Sequence, residues 1–254
     1  MSRIRLGPWS HDRAFFVKFG LVLPLLLAAL GMFLRSSGLD DSLSAYFYDT
    51  QTQQFLVATD GWAELLGHRL GKSLVFVVWL MLLAAAAAAP WLPALKAHRR
   101  LLWTLVAAMG LGPALVTVLK DINTHACPWS LKEFGGAADY SADWFVSRLE
   151  AGRCFPGGHA SGGFSLAAIA FAGQFLQLPK LRRLGLWLGL GIGAIFSLLR
   201  VAQGAHFMSH NLWAAAVDLW MAALVFSPLL LASPSPSTRH STHDASIGAT
   251  GSAP

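Results

Sequence analysis

Six apolar stretches, each close to the length that crosses a hydrocarbon layer, limit what this chain can fold into. They cover about 15–34, 73–89, 101–119, 159–178, 184–202 and 211–232. A helix spanning a bilayer needs about 20 apolar residues. These stretches are hydrophobic all round, which a surface helix of a soluble protein is not. The whole chain agrees, with 55% hydrophobic and 13% charged residues, where a soluble domain carries about 25% charged. That excludes a mostly disordered chain and a nucleic-acid binder built on basic patches, and argues against an ordinary soluble enzyme. The predicted fold class is all-α, a six-transmembrane-helix bundle with its active-site loops on the outer side. The first stretch is longer than a signal-peptide core and lacks a clear small-x-small cleavage site, so it reads as a retained helix.

Basic residues set the orientation. With the N-terminus cytoplasmic, eleven of the nineteen Lys and Arg lie inside: Arg3, Arg5, Arg13, Lys18, Lys96, Arg99, Arg100, Lys180, Arg182, Arg183 and Arg239. Ten of the thirteen acidic residues fall on the other side. Both termini are therefore expected in the cytoplasm, and the net charge of +6 reflects orientation rather than a nucleic-acid partner. Residues 1–232 are read as one membrane domain, with 233–254 a disordered cytoplasmic tail of small and polar residues. The extracytoplasmic loop 35–72 carries Tyr46, Phe47, Phe55, Trp62, Leu65, Leu66 and Leu70. It reads equally as an amphipathic segment at the membrane interface or as a packed extramembrane helix.

Polar residues at helix ends gather on the outer side. Lys120 ends the third stretch, His159 begins the fourth, Arg200 ends the fifth, and His206 and His210 lead into the sixth. Singly, each reads as an anchor at the headgroups; packed together they form a cationic pocket that wants an anion. The run Phe155-Pro156-Gly157-Gly158-His159 adds glycines just before a helix, where backbone N–H groups can meet a phosphate.

These residues fall into three motifs. Lys120 is followed after six residues by Cys127-Pro128; then comes Pro156-Gly157-Gly158-His159; then Arg200, five residues, His206, three residues, His210. In order and spacing the set resembles the type-2 phosphatidic acid phosphatase superfamily, whose motifs read Lys, six residues, Arg-Pro; Pro-Ser-Gly-His; and Ser-Arg, five residues, His, three residues, Asp. The likeness covers the motif region, about 101–232, and the six-helix plan is similar too.

The resemblance implies a metal-independent lipid phosphatase with no cofactor. His206 would attack phosphorus and form a phosphohistidine, and His159 would protonate the leaving oxygen. Lys120 and Arg200 would bind the phosphate oxygens, with Gly157 and Gly158 completing the cradle. Four departures stand out: Cys127 for Arg, Gly157 for Ser, Leu199 for Ser, and His210 for the Asp that orients the nucleophile. His210 can fix a tautomer but supplies no negative charge. Asp218, about 12 Å further along a helix, is too far to replace that Asp; Asp121, Glu133, Asp139 and Asp143 are nearer candidates. Arg153 is the candidate for the missing Arg. Cys127 and Cys154 sit at the first two motifs on the expected oxidising side; a bridge would close a loop of roughly 28 residues, worth about 3 kcal/mol.

The expected partners are membrane lipids and a lipid phosphate or pyrophosphate: undecaprenyl pyrophosphate, phosphatidic acid, phosphatidylglycerol phosphate or a lipid A phosphate. The expected location is a bacterial inner membrane, with the site at the periplasmic face. Three alternatives stay open: a phosphotransferase using the same site, a metal-dependent hydrolase built on His206 and His210, and a non-catalytic membrane protein or transporter. Gly185, Gly189, Gly191 and Gly193 read as helix-packing positions.

Overall fold

The structure, a computed structural model, describes residues 8–57, 61, 71–123, 125–141 and 153–231, with side chains from residue 12 onward. The amphipathic segment expected at 62–70, the candidate Asp143 and the tail 233–254 lie outside those residues. The described chain is helical, apart from one hairpin of two-residue strands, β1 (Tyr48–Asp49) and β2 (Gln54–Phe55).

Among the described residues, five helices are long and apolar enough to cross a membrane. The first, residues 12–36, joins α1 (Pro8–Phe16) to α2 (Leu23–Ser36) through a π-helical turn, Val17–Val22. That turn brings Gly20 against Ala223. A short α3 (Leu39–Tyr46) follows. The other four are α4 (Gly71–Ala88), α6 (Arg99–Asp121), α9 (Pro179–Ala202) and α10 (Met208–Leu230); a four-residue α5 (Pro93–Lys96) turns the chain between α4 and α6. The chain is a multi-pass membrane protein.

The stretch expected as a fourth continuous span is broken. It forms α7 (Gly158–Phe164), a 3-10 turn (Ser165–Ala167) and α8 (Ala168–Phe175). Gly162 and Gly163 precede the break, and Ser165 Oγ donates to the Gly162 carbonyl at 2.7 Å. A serine that bonds back onto its own helix competes with the regular ladder and bends it.

Most of this broken segment is buried, enclosed by α4, α6, α9 and α10. It can sit there because glycines remove side chains at its contacts with α9. A Cβ on Gly163 would strike the backbone of Gly193, and one on Gly185 the backbone of Ala170. A Cβ on Gly189 would strike Ala167, and one on Gly173 the backbone of Arg182. Gly185 and Gly189, one turn apart, form the small-residue face that lets helix backbones touch in a membrane. Gly191 differs from the packing expectation, because nothing lies within 4 Å of its Cβ position. The main core, built on Leu105, Met109, Phe171, Leu219 and Phe226, lies between α6, α8 and α10.

The bundle has two chemically different ends. At one, Asp12 accepts hydrogen bonds from Gln174 Nε2 at 2.7 Å and Gln177 Nε2 at 2.9 Å, and Arg182 donates to Gln174 at 2.7 Å. The other end carries the last turns of α2, α6 and α9, the first turns of α4, α7 and α10, and the connections that cover them.

Candidate active site

The helix ends expected to carry chemistry meet at that second end. Lys120 lies in the last turn of α6 and reaches Gly158, whose Cβ position is 3.4 Å from Lys120 Nζ. His159 stands in the first turn of α7, with its ring centroid 6.3 Å from that of His206. Arg200 closes α9, and its carbonyl accepts the N–H groups of Ala205 at 2.9 Å and His206 at 3.3 Å. These bonds fold the short α9–α10 connection back onto Arg200. His210, in the first turn of α10, has its ring centroid 6.0 Å from that of His206.

Arg200 is buried, and its guanidinium is gripped on two sides. Nη1 donates to Gln203 Oε1 at 2.8 Å, and the Trp129 ring lies 5.6 Å from its carbon. A desolvated cation over an indole face gains from the ring quadrupole. Trp129 is fixed in turn by its backbone N–H, which donates to the Gly204 carbonyl at 2.9 Å. Gly204 has φ +66, and Phe55 packs where its Cβ would be. The described part of the 35–72 loop is therefore strapped across the site. Tyr48 and Phe55 cluster with Phe134, while Tyr46 stays exposed.

His206 is 3% exposed. Burial, reinforced by repulsion from His210, Lys120, Arg200 and His159, holds its imidazole well below the usual titration range. It therefore stays neutral, with a lone pair to donate, at pH values where an ordinary imidazole is half protonated.

The glycine pair behaves unevenly. The Gly157 N–H donates to the His210 carbonyl at 2.9 Å, so it is engaged within the protein and only Gly158 faces Lys120. A Cβ on Gly157 would collide with Asn211 Oδ1. Asn211, a residue the sequence reading passed over, thus takes the space of the serine that the motif would carry. Arg153 is exposed and paired with Asp121 at the end of α6.

Asp121, Asp139 and Glu133, the described acidic candidates for orienting His206, are engaged or exposed elsewhere. Asp121 holds Arg153, and Asp139 pairs with Lys132 at 2.9 Å in solvent. Glu133 is exposed, and partial desolvation and then nearby Asp41 push its carboxyl up. The acid that sits beneath the site is one the sequence reading missed. Asp40, 4% exposed, accepts the Ser209 N–H at 3.0 Å and lines a small cavity with Arg35, His125, Tyr140 and His210. Its carboxyl is pushed above the usual range, mainly by burial. Its position two residues after Gly38, in the first turn of α3, is the kind of site where an acid caps a helix, but its partner helix lies far along the chain.

Asp40→Ala orphans a buried N–H in the first turn of α10, a loss of about 1–2 kcal/mol. Asp40→Asn keeps an acceptor and mimics the neutral acid, and costs much less. Thermal midpoints in detergent distinguish the two; equal losses would remove the capping role.

Cys127 and Cys154 are joined by a disulfide, with Cα atoms 5.2 Å apart. It ties the Cys127-Pro128 segment to the turn before His159. One potential ligand atom each from Cys154, His206 and His210 lie within 4.8 Å of one another. That set fits a divalent cation poorly. Metals bind the thiolate, whereas this sulfur is in a disulfide, and the cations Lys120 and Arg200 act on the same imidazole.

A sequence profile of the PAP2 superfamily matches residues 101–230. The chain belongs to the PAP2 superfamily. PAP2 proteins are phosphatases, so a phosphatase-type activity on a phosphoric ester follows from membership. No curated protein and no solved structure matches the chain. The match begins in α6 and ends with α10, so it takes in every helix end that carries Lys120, His159, Arg200, His206 and His210.

Proposed function

We propose that this PAP2 protein is a membrane-embedded phosphatase that hydrolyses a lipid phosphate or pyrophosphate through a phosphohistidine. The observation that carries this reading is a cleft of about 350 Å³ that runs from Gly158 and His159 down between α4 and α6. Its walls are Val75, Phe76, Trp79, Met109 and Pro113, and Lys72 stands at its rim. A phosphate held among Lys120, Arg200 and Gly158 would leave its apolar chain beside this wall, at the depth where lipid tails lie.

The chemistry follows from the side chains. A His206 ring nitrogen gives its lone pair to phosphorus, and the P–O bond to the lipid breaks. His159 donates a proton to the departing oxygen. Lys120 and Arg200 offset the charge that builds on the non-bridging oxygens. Water, giving its proton to His159, then breaks the P–N bond and releases inorganic phosphate. In this reading α7, the 3-10 turn and α8 together make the sixth span. Residues 1–232 are one domain, the site faces the periplasm of a bacterial inner membrane, and both termini are cytoplasmic.

The test uses purified full-length protein in detergent with excess chelator and ³²P-labelled phosphatidic acid, undecaprenyl pyrophosphate, phosphatidylglycerol phosphate and lipid A. Phosphate release that survives chelator, with an acid-labile and base-stable phosphoprotein after quenching, is the expected result. Release abolished by chelator, or no release from any of the four, overturns the reading.

A further inference from the structure

The nucleophile of this site lacks the carboxylate that its motif would supply, and the atom found at its Nδ1 is a sulfur. Cys154 Sγ lies 3.6 Å from His206 Nδ1. Cys154 is fully buried, and its sulfur lies 3.0 Å from the carbonyl oxygen of Ala205, the residue before His206. A disulfide sulfur carries no proton, so the contact with Ala205 is a close O···S approach and not a hydrogen bond. The Cys154 N–H donates to the His125 carbonyl at 3.2 Å. The sulfur is thus fixed relative to the backbone of the nucleophile and to the Cys127 segment.

We infer that Cys154, held by its disulfide, is a positioning residue for His206, its sulfur accepting the Nδ1–H and leaving the lone pair on Nε2. The inference rests on the proposed role of His206 and deepens it. A disulfide sulfur can only accept, so the contact is favourable only for the tautomer with hydrogen on Nδ1. That tautomer presents Nε2 as the attacking atom. An N–H···S bond is weak, but the ring is buried, and a fixed ring avoids the loss that follows a misplacement of about 1 Å. Sulfur is neutral, so unlike a carboxylate it offers little to the imidazolium of the phosphohistidine.

This assigns the bridge two separable effects. One is to tie two segments together, which needs both cysteines equally. The other is to put a sulfur at Nδ1, which needs Cys154 alone. Cys127→Ala removes the bridge and leaves a Cys154 sulfur near Nδ1; Cys154→Ala removes the bridge and the acceptor at Nδ1.

The two variants are compared on whichever lipid phosphate the wild type hydrolyses, with thermal midpoints measured alongside. Equal midpoints, equal KM and a kcat about tenfold lower for Cys154→Ala are expected. Equal kcat values would leave the bridge a purely structural tie and overturn the inference. The tautomer is read independently of activity by ¹⁵N-imidazole NMR of the oxidised wild type, with His206 assigned by its loss in His206→Asn. An Nδ1–H signature is expected and an Nε2–H signature overturns the inference, even where both alanine variants misfold. Failure of the phosphatase reading is distinguishable, because it appears as wild type that releases no phosphate while the tautomer is still measured.

Discussion

His206→Ala is expected to abolish phosphate release, by about 10⁴-fold or more in kcat, with little change in KM. The magnitude follows from the role: a nucleophile acts only in the transition state, and its removal leaves binding and charge stabilisation alone. The residual rate comes from Lys120, Arg200 and a bound water. No phosphoprotein should be trapped from this variant. His159→Ala is expected to behave differently. Its loss should be large for alkyl lipid phosphates, whose leaving oxygen needs a proton, and small for an aryl phosphate such as p-nitrophenyl phosphate, whose leaving group does not. Rates of both variants on both substrates, with thermal midpoints to show that each is folded, make the measurement. Equal sensitivity of His159→Ala to the two substrates would remove the general-acid role, and a phosphoprotein in His206→Ala would place the nucleophile elsewhere.

Gly189→Leu is expected to prevent folding, at a loss of about 3 kcal/mol or more, above the usual range for an overpacked core. The added side chain would enter the backbone and Cβ of Ala167, and neither is a flexible side-chain tip. Relief requires α9 to move away from the enclosed α7–α8 segment, which also carries His159. Gly191→Leu, two residues along the same helix, meets nothing within 4 Å of its Cβ and should leave folding unchanged. The yield of monodisperse protein from detergent and its thermal midpoint compare them. Similar behaviour of the two variants would show that α9 is not in close contact with α7–α8.

Much of this was legible in the chain because it depends on local pattern. Long apolar runs gave five spans with boundaries near those observed, and motif spacing brought Lys120, His159, Arg200 and His206 to one end of the bundle. What was not legible depends on contacts between distant segments. The interruption at Ser165 was hidden because an apolar run looks the same whether it faces lipid or protein. Asp40 was missed because the N–H it accepts belongs to Ser209, 169 residues away. Asn211 was missed because its importance comes from a glycine across the site, and Gln203 because its role is to hold Arg200. Of the acids in the 120–158 loop, Asp121 and Asp139 pair with other side chains and Asp143 lies outside the described residues; the buried acid comes from α3, and the atom at the Nδ1 of His206 is a sulfur.

The enclosure of the broken α7–α8 segment also bears on how the protein is made. A helix released alone into lipid must be apolar enough to stay there, and lipid-exposed breaks in its hydrogen bonding are not tolerated. This segment begins with Gly158 and His159, carries two further glycines and a serine at its break, and keeps Gln174 near its end. Its lipid compatibility is supplied by its neighbours. It therefore has to be handed from the insertion machinery to α4 and α6, already synthesised, and then sealed by α9 and α10 as they emerge. Chain truncated before α9 should hold this segment poorly, so a nascent protein stalled at that length is the form that quality-control proteases would meet.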